Sequence, residues 1–200
     1  MGHHGWKGDP PPTETLARAR ILKAANRCID RSGIAKTTLS DVAAEVGVTR
    51  QTVYRYYPRL SDLLNAVAES GAAEFIERMR DHVTRAVAPV DVVTESIVFC
   101  LDELPREPRI AILLESDEDL FGRGITSATG VSLAAQFLRG LAVDWRAAGL
   151  HDDDLEELAE LMLRLISSLL QHPTAAPRST DDERAFIRRW LGPALGGPRG

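Results

Sequence analysis

A run of side chains that begins at Thr49 combines residue types that recognise planar hydrogen-bonding edges and anions. The guanidinium of Arg50 can bond the O6 and N7 atoms of guanine, and the amide of Gln51 can bond the N6 and N7 atoms of adenine. The ring of Tyr54 can contact a thymine methyl while its hydroxyl reaches a phosphate. The hydroxyls of Thr49 and Thr52 can donate to further phosphates. These residue types predict a surface that lies in the major groove of duplex DNA.

The same run is predicted to be the second helix of a helix-turn-helix. Apolar residues at positions i, i+3, i+4 and i+7 predict a short helix over Leu39–Val46. Thr38 and Asp41 resemble a capping box at the start of that helix. Gly47 can adopt the left-handed conformation that turns the chain, and Thr49 is a good N-cap for the next helix. A short helix, a glycine turn and a second short helix are the elements that such a motif needs.

Beyond this motif, the chain is predicted to be helical almost throughout, because no segment shows the period-two alternation of a half-buried strand. Glycines and prolines set most of the expected helix boundaries. We therefore expect an all-α fold of about nine helices, in which a three-helix head precedes a larger helical body. The predicted helices cover residues 13–31, 39–46, 50–57, 61–86, 91–104, 107–116, 127–148, 154–171 and 180–191.

The charge of the chain is divided between head and body. Residues 13–60 hold nine Lys and Arg against four Asp and Glu, which gives a net charge of +5. Residues 61–200 hold fourteen Arg against twenty-four Asp and Glu, which gives a net charge of −10. A basic head on an acidic body is the asymmetry expected when only the head meets phosphate. The overall charge of −5 is therefore compatible with a nucleic-acid partner.

The composition favours a globular protein of the cytoplasm. Hydrophobic residues make up 44% of the chain and charged residues 26%. No uninterrupted apolar stretch approaches the roughly 20 residues that span a bilayer, and the first residues lack the apolar segment of a secretory signal. Cys28 and Cys100 lie within helical apolar patterns, which predicts core packing rather than redox chemistry.

Support for an enzyme is weak. The run His151–Asp154 has the residue types of metal ligands, but consecutive residues at a helix start point in different directions, which favours helix capping. Gly122 and Gly124 lack the third glycine and the preceding strand of a dinucleotide site. We therefore expect no catalytic residues, no metal site and no cofactor.

About a quarter of the chain, residues 18–67, resembles the TetR (tetracycline-repressor-like) family of bacterial regulators. The resemblance is specific because many positions agree in register. The matching residues are Ile21, Leu22, Ala24, Ala25, Gly33, Thr37, Thr38, Val42, Ala43, Gly47, Val48, Thr52, Val53, Tyr54, Tyr56, Tyr57 and Leu63.

This resemblance implies a homodimer that pairs through the eighth and ninth helices, binds a pseudo-palindromic operator in duplex DNA and responds to a small-molecule effector. The residues at the family's base-reading positions are Ser40, Arg50, Gln51 and Tyr54. The residues at its phosphate-contacting positions are Thr49, Thr52, Arg55 and Tyr56. Leu60 stands where the family usually has a phosphate-binding lysine, and Arg59 is expected to make that contact instead.

The predicted domains are a disordered leader at 1–12, a DNA-binding domain at 13–60 and an effector-binding and dimerisation domain at 61–200. The helix at 154–171 carries an apolar band wide enough to need burial on two sides, which predicts contact with a second copy of the chain. The expected interface residues are Leu158, Met162, Leu165, Leu169, Phe186 and Trp190. The expected lining of an apolar effector pocket is Phe75, Met79, Phe99, Phe137 and Trp145.

The sequence thus predicts a sequence-specific transcriptional regulator, a repressor that a small apolar effector releases from its operator. Two alternatives remain open. In the first, the ligand is a corepressor that strengthens DNA binding. In the second, the protein is an architectural DNA binder that responds to no effector and whose affinity depends on salt more than on sequence.

Overall fold

The computed structural model describes residues 5–107, 109–110, 126–176 and 178–196 of the 200-residue chain. Within these ranges the regular structure consists of α-helices and short 3-10 helices, without strands. The predicted all-α fold is therefore confirmed. None of the described helices combines the length and the apolar character needed to cross a membrane.

The described α-helices agree closely with the predicted ones. They are α1 Glu14–Ser32, α2 Leu39–Val46, α3 Arg50–Tyr56, α4 Leu60–Val83, α5 Pro89–Glu103, α6 Ala128–Arg139, α7 Asp152–Gln171 and α8 Thr180–Leu191. The helix predicted at 107–116 lies largely outside the described residues, so the expected count of about nine is close to the eight described.

One predicted helix, at 127–148, is shorter than expected. Helix α6 ends at Arg139, and a separate 3-10 turn follows at Arg146–Ala148. Between them the chain turns back so that Trp145 is buried and its indole N–H donates to the carbonyl of Leu138 at 3.1 Å. Burying this large ring against the end of α6 competes with a continuous helix, which would have carried Trp145 onward along the helix axis.

The chain divides into two compact units. The first unit extends to Ala73 and includes a short segment that begins at Glu107, and the second holds Glu74–Arg106 and the described residues from 126 onward. Helix α4 begins in the first unit and ends in the second. The division of the chain into compact units near Ala73 is a structural one. The boundary at residue 60 separates the expected DNA-binding residues from the rest, and it stays a prediction.

The first unit is built around the buried face of α1. Val42 of α2 and Val53 of α3 are fully buried, and α2 packs against both α1 and α3. Because Gly47 has φ 81° and ψ 40°, the chain can reverse between α2 and α3 without the strain that another residue would suffer. The buried α1 residues are Ala17, Ile21, Ala24, Ala25, Cys28 and Ile29.

Polar contacts fix the ends and the tilt of α2. The predicted capping box is confirmed, because the Thr38 hydroxyl accepts from the backbone of Asp41 while the Asp41 carboxylate accepts from the backbone of Thr38. Arg27 and Arg31 of α1 bond the carboxylate of Glu45 at 2.8 and 3.3 Å. These hydrogen bonds hold the pKa of Glu45 below its usual value, so the carboxylate remains charged and keeps α2 tied to α1.

The leader contributes to the first unit from residue 5 onward. Trp6–Gly8 form a 3-10 turn, and the Trp6 backbone N–H donates to the carbonyl of Gly47 at 2.9 Å. Asp9 pairs with Arg20 of α1 at 2.7 Å. Part of the segment expected to be a disordered leader therefore has defined contacts with the helix-turn-helix.

The second unit is organised around α5. Its apolar side chains Val92, Val93 and Ile97 are almost completely buried, and the helix packs against both α7 and α8. Arg184 of α8 binds Glu95 of α5 through two hydrogen bonds of 2.6 and 3.1 Å, which fixes the register of these two helices.

Both cysteines are free and buried, as predicted. Cys28 lies in the first unit and Cys100 in the second. Burial raises the pKa of the Cys100 thiol to about 12, so this side chain is uncharged at neutral pH and serves as packing.

Candidate nucleic-acid interface

Helix α3 is anchored by one face and exposes the other. Val53 is fully buried, and Tyr57, the residue that follows the helix, is 6% exposed. Arg50, Gln51 and Tyr54 are exposed on the remaining surface. The arrangement leaves guanidinium, amide and phenol groups available to a partner while the helix itself is held by its core side.

Two arginines of this surface are held by neighbouring tyrosines. Arg50 donates to the Tyr54 hydroxyl at 2.6 Å, and its guanidinium lies 5.0 Å from the centroid of the same ring. Arg55 donates to the Tyr56 hydroxyl at 2.8 Å and lies 4.9 Å from that ring. Because a free arginine loses up to about 2 kcal/mol of rotamer entropy when it is fixed, these pairs lower the cost of ordering it on a ligand.

The predicted phosphate-binding threonines also hold the start of α3. The Thr49 hydroxyl accepts from the backbone N–H of Thr52 at 3.2 Å, and the two hydroxyls lie 3.0 Å apart. Thr49 is exposed and Thr52 is half-buried. Ser40, the expected base-reading residue outside this segment, is exposed on α2.

Arg59 has a partner inside the chain. Its guanidinium lies 3.0 Å from the carboxylate of Asp62, and its backbone N–H donates to the same carboxylate. This pairing raises the pKa of Arg59 and lowers that of Asp62, so both groups stay charged and largely neutralise each other. The Arg59 side chain is nevertheless 78% exposed, so its guanidinium is accessible to a phosphate that competes with Asp62. Leu60 is half-buried at the start of α4.

Arg18 of α1 belongs to this surface although no sequence pattern indicated it. Its guanidinium donates to the carbonyl of Tyr56, the last residue of α3, at 2.8 Å. It also lies 5.3 Å from the centroid of the Tyr57 ring. The contact spans 38 positions in sequence, which is why a local pattern could not reveal it. Arg18 therefore joins α1 to the end of α3 and fixes the angle of the exposed helix.

The five residues expected to line an effector pocket lie in the second unit. Four are buried, namely Phe75, Met79, Phe137 and Trp145, and Phe99 is half-buried. Two of them are in contact, since the ring centroids of Phe75 and Phe99 are 5.2 Å apart, and the sulfur of Met79 lies 3.7 Å from that of Cys100. As an effector-pocket lining, they stay a prediction.

A cavity of about 280 Å³ lies elsewhere in the second unit, among α5, the end of α7, the loop after it and the start of α8. None of the five expected residues lines it. Its walls are partly apolar, from Val98, Leu101, Leu169 and Leu170, and partly charged, from Asp102, Arg178 and Glu183.

The residues expected at a dimer interface divide into two groups. Leu158 and Met162 are 8% and 6% exposed within a single chain, so they have little surface left for a partner. Trp190 is 65% exposed, and Leu161, a neighbour that was not among the expected residues, is 50% exposed. The other three expected residues, Leu165, Leu169 and Phe186, are half-buried.

The run at the start of α7 caps the helix. The backbone N–H of His151 donates to the carboxylate of Asp154 at 2.6 Å, and Asp152 and Asp153 lie in the acidic first turn. This confirms the capping interpretation. In the ranges that the structure describes, no three His, Cys, Asp or Glu side chains are grouped as a metal site would require.

Comparison with known proteins shows what the chain is similar to. The model of the bacterial regulatory proteins of the tetR family matches residues 21–67, which include α2 and α3. An HTH-type transcriptional regulator of Mycobacterium tuberculosis is 27% identical over 182 residues, which cover 90% of this chain and 86% of the relative. The head of this chain is therefore similar to that of the tetR family of bacterial regulatory proteins, and a relative that covers most of the chain is a transcriptional regulator.

Two solved structures of TetR-family repressors are similar in fold over most of the chain. One is Thermus thermophilus FadR, with a TM-score of 0.61 and 22% identity, covering 89% of this chain and 94% of that one. The other is AlkX of Dietzia sp., with a TM-score of 0.60 and 22% identity, covering 88% and 96%. The segment that matches the family model, residues 21–67, includes all the residues that we expect to contact DNA, from Ser40 to Arg59. The leader and Arg18 lie before it, and the expected pocket and interface residues lie after it.

The pairing of Arg59 with Asp62 leads to a prediction. Replacing Asp62→Asn removes the competing charge and keeps a side-chain oxygen that can accept from the Arg59 backbone N–H. DNA affinity should rise by roughly threefold for operator and scrambled duplexes alike, because the freed guanidinium gains a phosphate contact. Fluorescence anisotropy measures the change.

The matched control is Asp30→Asn, which removes one exposed acid of α1 and hence the same charge. An equal rise in both variants would show that only net charge matters. No rise in Asp62→Asn would show that Arg59 does not reach phosphate.

Proposed function

We propose that the protein is a sequence-specific repressor that binds its operator as a homodimer and is released by a small apolar effector. The observation that carries this proposal is the exposed face of α3, where Arg50, Gln51 and Tyr54 stand on a helix held by a fully buried Val53. Arginine and glutamine are the side chains that bond guanine and adenine edges in the major groove. Such a protein works by binding, without catalysis, in the cytoplasm where the DNA is.

The charge distribution supports a DNA contact restricted to the head. The stretch 13–60 carries a net charge of +5 and the stretch 61–200 a net charge of −10. A positive surface attracts the phosphate backbone over several ångströms, whereas the acidic body repels it. The phosphate contacts that we assign are those of Thr49, Thr52, Arg55, Tyr56 and Arg59, and the base contacts are those of Ser40, Arg50, Gln51 and Tyr54.

Dimerisation is supported by exposed apolar residues on α7 and α8. Leu161 and Trp190 expose half or more of their surface, and half-buried Leu165 lies one turn along α7 from Leu161. Large apolar side chains of this kind anchor protein interfaces. We therefore centre the interface on Leu161 and Trp190 rather than on Leu158 and Met162. A two-fold dimer would present two heads to half-sites about 34–36 Å apart.

The effector is proposed to bind the second unit. The AlkX structure is described as that of a repressor implicated in biodegradation of n-alkanes, and the FadR structure is that of a repressor in complex with lauroyl-CoA. An effector that binds preferentially to a dimer conformation with low DNA affinity shifts the population toward that conformation and so weakens DNA binding. By linkage, DNA weakens effector binding by the same factor.

The base-reading role of Arg50 can be tested directly. Arg50→Ala should weaken operator binding by about 1–3 kcal/mol and relax selectivity at one base pair of each half-site, because alanine cannot form the bidentate hydrogen bonds to guanine. Competition with every single-base variant of the operator measures both effects.

The control is Arg106→Ala in the 3-10 turn Leu104–Arg106, which removes an exposed arginine whose ion-pair partners are Asp102 and Glu103. It should change neither affinity nor selectivity. An Arg50→Ala protein that discriminates all bases as well as the wild type would contradict the assignment.

The dimer interface gives a second test. Leu161→Glu places a charge in the proposed contact and should convert the dimer to a monomer at micromolar concentration. The matched control is Leu133→Glu, because Leu133 of α6 is 42% exposed and outside the proposed interface. Light scattering coupled to size-exclusion chromatography gives the mass of each. A Leu161→Glu variant that stays dimeric would contradict the interface.

The effector class gives a third test. Saturated acyl chains of increasing length, as free acids and as CoA thioesters, are added to the preformed protein–DNA complex. The anisotropy of the labelled operator should fall, and at lower concentrations for longer chains, because each buried methylene contributes about 0.8 kcal/mol. A rise in anisotropy would indicate a corepressor instead. No response to any chain would contradict an apolar effector of this class.

A further inference from the structure

A left-handed turn precedes α1. Trp6, Lys7 and Gly8 have φ angles of 66°, 54° and 88°. A residue with a side chain loses roughly 1–2 kcal/mol in this conformation, and two of these three residues carry one. Such a turn persists only where contacts outside it select that conformation, so its neighbours indicate what it does.

The turn is fixed to the centre of the helix-turn-helix. The backbone N–H of Trp6 donates to the carbonyl of Gly47 at 2.9 Å. The stem of Lys7 lies across Gly47 so closely that a Cβ on that glycine would be 2.7 Å from the Lys7 Cγ. Asp9 and Arg20 secure the other side of the turn to α1. Gly47 is therefore required both for its positive φ and for the close approach of Lys7.

The turn also reaches a side chain of the proposed DNA surface. The ring of Trp6 meets the ring of Tyr56 edge to face, with centroids 6.3 Å apart and planes at 79°. Tyr56 accepts a hydrogen bond from Arg55, and both residues are proposed phosphate contacts. One side of the turn therefore adjoins the end of α3, while its Lys7 stem crosses the glycine before α3.

Lys7 differs in its charge partners from four arginines of the first unit. Arg18, Arg20, Arg27 and Arg59 each bond a carboxylate. Lys7 is exposed, and within the described part of the chain no carboxylate is paired with it. The aliphatic part of the Lys7 side chain packs over Gly47, and its ammonium group has no paired carboxylate among the described residues. The ammonium group can therefore bind an anionic group of a partner molecule.

We propose that Lys7 is a further phosphate-binding residue of the DNA interface and that Trp6 holds it in place. The partner is the sugar–phosphate backbone of duplex DNA, next to the phosphate contacted by Tyr56. This proposal rests on the proposed function, since it adds a residue to the same surface. It predicts an effect on affinity and salt dependence and none on base selectivity, because phosphate contacts carry no sequence information.

The test uses the full chain with Lys7→Gln, which keeps the Cβ and Cγ methylenes that lie next to Gly47 and removes the charge. Lys23→Gln is the matched control, since Lys23 is an exposed lysine of α1 and the substitution removes the same charge. Operator and scrambled duplexes are titrated at several salt concentrations. The slope of log K against log salt should become shallower by about 0.9 for each phosphate that the variant no longer neutralises.

The expected result is a uniform loss of affinity in Lys7→Gln, on the order of fivefold per protomer near 0.15 M salt, for both duplexes. Lys23→Gln should retain the wild-type slope. Neutral methylphosphonate at one position of each half-site should weaken the wild type and leave Lys7→Gln unchanged. A second variant, Trp6→Ala, should reproduce the shallower slope because it releases the turn.

Other outcomes overturn the proposal in distinguishable ways. If the wild type binds its operator selectively and Lys7→Gln has the same slope and affinity, the assignment of Lys7 fails and the proposed function stands. If Lys7→Gln and Lys23→Gln lose affinity equally, only net charge matters and the assignment fails. If the wild type binds no duplex, both fail.

Discussion

The orientation of α3 depends on packing, because a seven-residue helix is not stable by itself. Val53 supplies the buried anchor, the Thr49 hydroxyl caps the first turn, and Arg18 binds the last carbonyl. Together these contacts fix the axis and the rotation of the helix. The candidate DNA-binding surface consists of the α3 side chains that this packing leaves exposed, such as Arg50, Gln51 and Tyr54. The core of the first unit therefore determines which side chains are available to DNA.

The second unit meets a different requirement. Its core is formed around α5, and the ion pair between Glu95 and Arg184 fixes α8 against that helix. Leu161 and Trp190 are among the apolar residues left outside this core, and they are the ones that we propose for contact with a second copy of the chain. The proposed repression by a dimer needs both properties: a rigid frame within each protomer and an apolar surface that sets the spacing of two heads.

The sequence predicted the helix-turn-helix closely because its signals are local. The capping residues Thr38 and Asp41, the turn at Gly47 and the apolar spacing of α2 all act within a few residues of one another. Contacts between distant segments were not predictable in this way. The contact of Arg18 with Tyr56 and that of Trp6 with Gly47 depend on how the helices pack, which periodicity does not specify.

In the second unit, the sequence also failed to predict which face of a helix is buried. The apolar band of α7 is so wide that the sequence could not distinguish the side facing its own core from the side facing outward, and Leu158 and Met162 are core residues.

The central claim is that the exposed face of α3 reads DNA sequence. The most direct test measures binding of the wild-type chain to the DNA upstream of its own gene and to a scrambled duplex, at two salt concentrations. The account predicts binding to the upstream DNA that is at least about a thousandfold tighter than to the scrambled duplex at physiological salt, with both affinities falling as salt rises. Equal affinity for the two duplexes at both salt concentrations would contradict it.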